Sequence, residues 1–407
     1  MKIKFLGLMF LCSVLFAQPL VKTGIEVLSD SGFEILKGKK VGLVTNPTGV
    51  DSRLRSTIDI LFESKSVELV ALYGPEHGVR GDYAAGEYVD FYKDPKTGLP
   101  VYSLYGKTRK PSKEMLKGID VIVYDIQDIG CRSYTYISTM GLLMEAAAEN
   151  NLEVVVLDRP NPLGGIRIEG NNAETDFISF VSQFNIPYVY GLTCGELANY
   201  LNNEGLLKNQ VKCKLTVIPM QGWKREMTFE ETGLEWVPTS PHVPHKDSPF
   251  YYVASGILGE LDVISIGVGY TIPFQTFAAE WINGTILANK MNELNLKGVI
   301  FRPITYKPYY AVSKGESISG VQIHITDFKS VNLTEIQFYF MQVHNILYPE
   351  KNIFEMSPNR HDMFDKVSGS DNIRKIFSKN YTFSEIKSYL DKDIEIFRNK
   401  TSKYLMY

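Results

Sequence analysis

The sequence is poor in cysteine. Of 407 residues only Cys12, Cys131, Cys194 and Cys213 are cysteines, and loss of the N-terminal segment would leave three. An odd count means that at least one is free or paired between chains. Their spacing fits no zinc motif, so the chain must stand on an apolar core. An excess of positive charge is also missing. Basic residues number 43 against 46 acidic ones, a formal net charge of -3, so no basic face is implied and nucleic acid is not an expected partner. Beyond the N-terminus no apolar run is long enough to span a bilayer. There is no Gly-x-Ser-x-Gly elbow, which disfavours a serine esterase. Gly267-Val268-Gly269 lacks a phosphate-loop context. His242 and His245 stand three apart but among prolines, so no helical metal site is expected, and His324 falls in an expected strand as a structural residue. Internal repeats and low-complexity tracts are absent.

What is present is ordinary globular material: 44% hydrophobic and 22% charged residues. The length suggests two to three domains. The N-terminus reads as an export signal, with Lys2 and Lys4 before the apolar stretch Phe5 to Phe16 and a small residue, Ala17, before Gln18-Pro19. Leu11 stands where a lipoprotein signal has a small residue before Cys12, which disfavours lipidation. The expected division is a signal over 1–17, an α/β domain over 18–220 and an α+β domain over 221–407, in a periplasmic or extracellular protein.

Short β-branched runs predict strands at Lys40–Thr45, Val67–Tyr73, Val121–Tyr124, Val154–Leu157 and Lys214–Pro219. Helices are expected between them, over Arg53–Ser64, over Tyr136–Asn150 with Asn150-Asn151 as its C-cap, and after Thr193, whose Glu196 three residues on completes a capping box. Alternating strand and helix imply right-handed crossovers and a mainly parallel sheet. From about Gln221 the texture changes, and Pro238, Pro241, Pro244 and Pro249 mark a long irregular loop or domain junction. The remainder predicts a strand over Gly320–Thr326 and a helix over Ser384–Phe397.

Ligands of a parallel sheet bind beyond the carboxyl ends of its strands, and four expected strands end in polar loops. They run Asn46-Pro47-Thr48-Gly49, then Gly74-Pro75-Glu76-His77-Gly78-Val79-Arg80-Gly81, then Asp125-Ile126-Gln127-Asp128-Ile129-Gly130, and Asp158-Arg159-Pro160-Asn161. The second is the sharpest, because Pro75 and the glycines constrain the turn that carries Glu76-His77. A carboxyl there with a raised pKa would act as a general acid; the alternative is a helix cap or a pair with Arg80. Asp125 and Asp158 also fit helix caps, Asp158 the better of the two, whereas Asp125-Ile126-Gln127-Asp128 is too polar a cluster for caps alone and one member is expected to meet ligand. Arg80 and Arg132 fit an anionic substrate group or a surface ion pair. Aromatics reach 12%, which suits sugar-stacking surfaces as well as a Tyr-rich core.

These loops, with Val44-Thr45-Asn46-Pro47-Thr48-Gly49, Tyr134-Thr135-Tyr136, Leu157-Asp158-Arg159-Pro160-Asn161-Pro162 and the ending Lys403-Tyr404-Leu405-Met406-Tyr407, resemble the NamZ-type exo-β-N-acetylmuramidases of bacterial cell-wall recycling. The resemblance runs from about Gly24 to the C-terminus. It implies a Rossmann-like domain, a smaller second domain and a cleft between them. The implied activity is a glycoside hydrolase that releases terminal N-acetylmuramic acid from the non-reducing end of peptidoglycan fragments, with no cofactor and no metal. Glu76 is the implied general acid, tuned or oriented by His77. Asp125 or Asp128 would be the second carboxylate. Asn46, Arg80, Gln127, Arg132, Tyr134, Asp158, Arg159, Asn161 and Glu260 are the substrate-binding candidates, with Arg80 and Arg132 for the lactyl carboxylate.

One stretch departs from the family. Members carry Glu-Gly-Thr-Asn-Leu-Ser-Glu-Gly-Arg-Gly-Thr before Pro-Phe-Glu. Here Glu260 is kept, but the second glutamate is Ile266, the arginine is Val268, and the following triplet is Pro273-Phe274-Gln275. An apolar loop in contact with sugar would change the substrate. This departure motivates two alternatives, an exported non-catalytic glycan-binding protein and a hydrolase of a different amino-sugar glycan.

Overall fold

A computed structural model describes residues 21–76, 78–81, 91–106 and 108–407. The expected export segment, 1–17, and His77 lie outside the described residues. In chain order the first part contains α1 (Gly24–Asp30), β1 (Lys40–Thr45), α2 (Thr57–Glu63), β2 (Glu68–Gly74), β3 (Phe91–Lys93), β4 (Pro100–Ser103), β5 (Val121–Asp125), α3 (Tyr136–Glu149), β6 (Glu153–Leu157), α4 (Cys194–Asn203) and β7 (Lys214–Ile218). The strands form one sheet in the order β3-β4-β2-β1-β5-β6-β7, parallel except for the edge pair β3–β4.

Successive side chains of a strand point to opposite faces, and here both faces are covered. Val121 and Val123 of β5 pack with α1 and α2, through Ile25, Leu28, Ile58 and Leu61. Ile122 and Tyr124 pack on the other side with α3 and α4, through Ile137, Met140, Leu143 and Leu197. That two-sided burial is why the central strands read as unbroken apolar runs. Thr193 caps α4 as its sequence predicts: Oγ1 accepts from the Glu196 amide at 3.2 Å, and the Glu196 carboxylate accepts from the Thr193 amide at 3.1 Å. Asn150 closes α3, its Nδ2 donating to the Ala146 carbonyl at 2.8 Å.

The second part contains α5 (Ser248–Gly259), β8 (Thr276–Ala279), α6 (Gly284–Glu293), β9 (Val299–Tyr306), β10 (Ile318–Ile325), α7 (Leu333–Leu347), α8 (Ile353–Met356), α9 (His361–Ser368), α10 (Asp371–Asn380), α11 (Phe383–Asp391) and α12 (Ile394–Thr401). Its antiparallel sheet runs β8-β10-β9. The single helix expected over Ser384–Phe397 is two, α11 and α12. The break falls beside Asp393, whose carboxylate accepts from the distant Asn172 amide at 3.0 Å. Ile129, Cys131, Leu163 and Val189 of the first part join the apolar core of the second. Cys131, Cys194 and Cys213 are all free and buried. Among the described residues, no helix is long and apolar enough to cross a membrane.

Chain order positions the site. From β1 the chain moves through β2 to β4 on one side, then returns across β1 to β5 on the other. Such a reversal opens a crevice at the carboxyl ends of the two strands, β1 and β5. Thr45 Oγ1 ties them there by donating to the Asp125 carbonyl at 2.8 Å.

Candidate active site

Glu76 sits on a turn that follows β2. The Gly78 amide donates to the Pro75 carbonyl at 3.1 Å, and Gly78 takes a left-handed φ of 74°, which a side chain would strain. The turn delivers Glu76 to a cavity of about 210 Å³. Ser133, Tyr134, Thr135 and Tyr136, at the start of α3, form one wall. Ser240, His242 and Val243 of the junction segment, with Tyr252 and Phe274 of the second part, form the other. Glu76 is the only carboxylate among the described lining residues.

The walls are aromatic and fixed. Tyr134 meets Tyr136 edge-on at 5.0 Å and Tyr252 at 5.6 Å, and Tyr252 meets Phe274 at 4.9 Å. Tyr134 donates to Thr239 Oγ1 at 2.7 Å and Tyr136 to the Thr239 carbonyl, which pins the junction segment over α3. Tyr105, just beyond β4, holds the Glu76 carboxylate: its hydroxyl is pushed up to about 12 by burial and by its hydrogen bond to Glu76.

The remaining expected residues divide sharply. Tyr134 lines the cavity. Asn46 lies beside Tyr136; its Oδ1 accepts from the Thr48 amide at 2.9 Å, while among the described residues its buried Nδ2 makes no hydrogen bond of good geometry. Asp128 is buried near Tyr134; its Oδ2 accepts from the Gly130 amide at 2.7 Å and from Tyr190, and among the described residues its Oδ1 has no partner. Burial pushes the Asp128 carboxyl up to about 7, against the pull of Tyr190 and Gly130. A buried donor and a buried acceptor left open at the sheet's switch point are groups that a bound polar molecule would satisfy.

Other candidates are committed to the fold. Asp125 pairs with Arg159 inside the protein, at 2.5 and 2.9 Å, and also accepts from Thr57. Asp158 serves α4: it accepts from the Gly195 amide at 2.8 Å, Thr193 Oγ1 at 2.7 Å and the Tyr407 hydroxyl at 2.7 Å. Gln127 donates to the carbonyls of Asp128 and Pro160, and Asn161 to that of Leu192, so both tie loops together. Arg80 grips Asp94 at 2.5 and 3.1 Å and reaches Asp59 at 3.2 Å. Burial alone would raise Asp94, but Arg80 and Thr97 hold it at about 2.

Arg132 departs furthest from expectation. It is fully buried. Its guanidinium donates to the carbonyls of Asn171 and Ile186 at 2.7 and 2.6 Å, to that of Val367 at 3.1 Å, and to Ser182 Oγ at 3.2 Å. It therefore staples α9 to the first part, and a lactyl carboxylate cannot reach it. Glu260 pairs with Arg360 at 3.2 Å; burial raises its carboxyl, and it lies near Tyr252 but does not line the cavity. The apolar loop likewise turns inward. Ile264 and Ile266 are buried in the core, and of the Glu260–Gln275 stretch only Phe274 reaches the cavity.

A larger cavity of about 290 Å³ lies elsewhere, between Leu163–Glu169 and Phe328–Asn332. Its cations are paired, Arg167 with Glu169, Arg225 with Glu196, Lys329 with Glu231 and Arg398 with Glu395, and Glu226 is its remaining carboxylate. Tyr105, Tyr252, Phe274 and His242 were not legible as site residues, because only tertiary structure brings them to Glu76.

Comparison with known proteins agrees with this architecture. Residues 41–247 match the N-terminal model of exo-beta-N-acetylmuramidase NamZ, and residues 250–407 match its C-terminal model. The peptidoglycan beta-N-acetylmuramidase NamZ of Bacillus subtilis (strain 168) is 43% identical over 390 residues, 96% of this chain and 92% of that one. Two crystal structures of DUF1343 family proteins from Bacteroides fragilis NCTC 9343 superpose on it. One has a TM-score of 0.92 at 60% identity and the other 0.75 at 28%, each covering 95% of this chain and 99% of its own. With both halves matched in order and a relative similar along nearly the whole chain, this protein belongs to the NamZ family of exo-β-N-acetylmuramidases.

Proposed function

We propose that this glycoside hydrolase releases terminal N-acetylmuramic acid from the non-reducing end of peptidoglycan fragments, with Glu76 as the general acid. The observation that carries the role of Glu76 is its place: a carboxyl on a constrained turn, held by Tyr105, in an aromatic cavity at the carboxyl edge of the sheet. Aromatic walls suit the C–H faces of a pyranose ring, and a carboxyl among them suits proton delivery to the leaving oxygen. The substrate follows from the peptidoglycan β-N-acetylmuramidase of Bacillus subtilis, to which the chain is similar over 96% of its length.

Asp128, buried near Tyr134 and off the cavity wall, is the second carboxyl of this reading, since Asp125 is committed to Arg159 and among the described residues one Asp128 oxygen has no partner. Export belongs to the same proposal, resting on Lys2, Lys4 and the apolar stretch to Ala17; a fusion of residues 1–30 to a reporter enzyme would carry it out of the cytoplasm.

The test is hydrolysis of a chromogenic β-N-acetylmuramide beside the matching β-N-acetylglucosaminide. Wild type is expected to cleave the muramide, and Glu76→Gln, while remaining folded, to lose about 10²–10⁴-fold on a peptidoglycan disaccharide with terminal N-acetylmuramic acid, whose sugar leaving group needs the proton. Near-normal turnover of that disaccharide by Glu76→Gln removes it from the mechanism. A folded wild type that binds peptidoglycan fragments but cleaves neither compound is a glycan-binding protein or acts on another glycan.

A further inference from the structure

The mouth of the Glu76 cavity continues into an exposed aromatic ledge. His242 lines the cavity, and its Nε2 is hydrogen-bonded to the Tyr310 hydroxyl at 2.8 Å. Tyr310 is 46% exposed and its neighbour Tyr309 is 69% exposed. Neither belongs to any apolar core.

These rings are not loose. Tyr306, Tyr270 and Tyr309 form a near-parallel stack, with centroids 4.7 and 5.9 Å apart and planes 29° and 26° apart. The inner ring is rooted: the buried Tyr306 hydroxyl bonds Ser265 Oγ and Thr276 Oγ1, each at 2.8 Å. The outer ring opens to solvent. The backbone beneath is clamped, with the Tyr309 amide donating to the Gly269 carbonyl at 2.8 Å and the Gly315 amide to that of Pro308 at 2.8 Å. Gly269 must be glycine, since a Cβ there would lie 2.0 Å from the Tyr310 carbonyl oxygen. Ala311 and Ser313, in the same connection, take left-handed φ values of 64° and 55°. Backbone strain of that kind persists where the surrounding structure imposes it, and it clusters at ligand-contacting sites. Here it fixes two aromatic rings where burial gives them nothing.

We infer that Tyr309 and Tyr310 form a stacking platform for the leaving-group side of the glycan, the saccharide that follows the bond being cleaved. The inference rests on the glycosidase reading of Glu76. An enzyme that takes one terminal sugar into the cavity must leave the rest of the chain at the mouth, and the ledge is continuous with that mouth through His242. A flat ring rooted on one face and open on the other matches the C–H face of a pyranose. The platform therefore makes the enzyme prefer oligosaccharides over glycosides with small leaving groups.

The test compares β-N-acetylmuramyl fluoride, whose leaving group is too small to reach the ledge, with a peptidoglycan tetrasaccharide carrying terminal N-acetylmuramic acid. Tyr309→Ala is expected to raise KM for the tetrasaccharide on the order of tenfold and to leave kcat/KM for the fluoride within about twofold. Tyr309→Phe, which keeps the ring, is expected to behave as wild type on both. Equal effects of Tyr309→Ala on the two substrates, or none on either, overturn the platform. Loss in Tyr309→Phe as well would replace stacking by a hydroxyl contact and overturn it too. If wild type cleaves neither substrate, the glycosidase reading falls and the platform with it; if wild type cleaves both and the variants match it, the platform falls alone.

Discussion

The Arg159 guanidinium lies against the Asp125 carboxylate with both side chains buried, Nε to Oδ1 at 2.5 Å and Nη2 to Oδ2 at 2.9 Å. Arg159 also donates to the Val50 carbonyl at 2.8 Å. The pair joins the end of β5 to the loops after β1 and β6. Removing one partner of a buried pair leaves the other charge uncompensated, which typically costs about 3–5 kcal/mol. Asp125→Asn is therefore expected to act on stability, lowering the unfolding free energy obtained from urea titration by an amount in that range. A variant of wild-type stability that has lost turnover would instead return Asp125 to the chemistry.

Arg132 makes a related prediction with a different readout. Its donors meet three backbone carbonyls and Ser182, and one carbonyl, that of Val367, belongs to α9. Burial pushes the guanidinium down to about 10, still charged at neutral pH. Arg132→Met takes the guanidinium from the Asn171 and Val367 carbonyls and leaves Ile186 only the Ala173 amide at 3.3 Å, at roughly 1–3 kcal/mol for each group left unpaired that water cannot reach. Thermal unfolding is expected to shift down strongly, while the fraction still folded at low temperature keeps its KM for the muramide. A large rise in KM without a loss of stability would restore the substrate-carboxylate role.

What could be read beforehand followed interactions that are local in the chain. The box at Thr193 and Glu196 spans three residues, and the two-faced burial of β5 is written in four consecutive apolar letters. The turn that bears Glu76 was legible for the same reason, since Pro75 and Gly78 constrain it. Arg132 was not, because its partners are carbonyls, which every residue possesses, and the Val367 carbonyl lies 235 positions away. The loop from Ile264 to Val268 misled in the opposite sense. Its apolar letters suggested an altered sugar contact, whereas Ile264 and Ile266 face the core. Tyr105 carries no local mark at all; only the pairing of β4 with β2 sets it beside Glu76.

Asp128 gives stability a pH dependence of definite sign. Its carboxyl titrates near 7 in the folded protein, against an ordinary value of 3.8, because burial disfavours the charge. Between about pH 4 and 7 the folded state therefore binds the extra proton, and stability falls as pH rises through that window. The contribution is fully present below the unfolded value and lost above the folded one; at about 1.4 kcal/mol per unit it amounts to at most about 4 kcal/mol. Asp158, raised by burial to about 6, works in the same direction. Asp128→Asn retains the Asp158 part only. Unfolding midpoints at pH 4.5 and 7.5 should differ less in the variant than in wild type, and an unchanged difference would mean that Asp128 is ionised throughout.

Tyr105 offers the most local test of the Glu76 site. Its hydroxyl donates to the Glu76 carboxylate, and its ring is only partly buried, so Tyr105→Phe removes one donor and little packing. Loss of a hydrogen bond that orients a group shielded from water costs roughly 1–3 kcal/mol. If that cost is paid in positioning the acid, kcat on the muramide falls by about 10–100-fold with KM little changed, since the hydroxyl is bonded to Glu76 and not placed on the cavity wall. The unfolding midpoint should stay near that of wild type. In the Glu76→Gln background the same change should cost almost nothing further, because the carboxylate it orients is gone. A full additional loss in the double variant would mean that Tyr105 acts on the substrate directly, and its bond to Glu76 would then be incidental to catalysis.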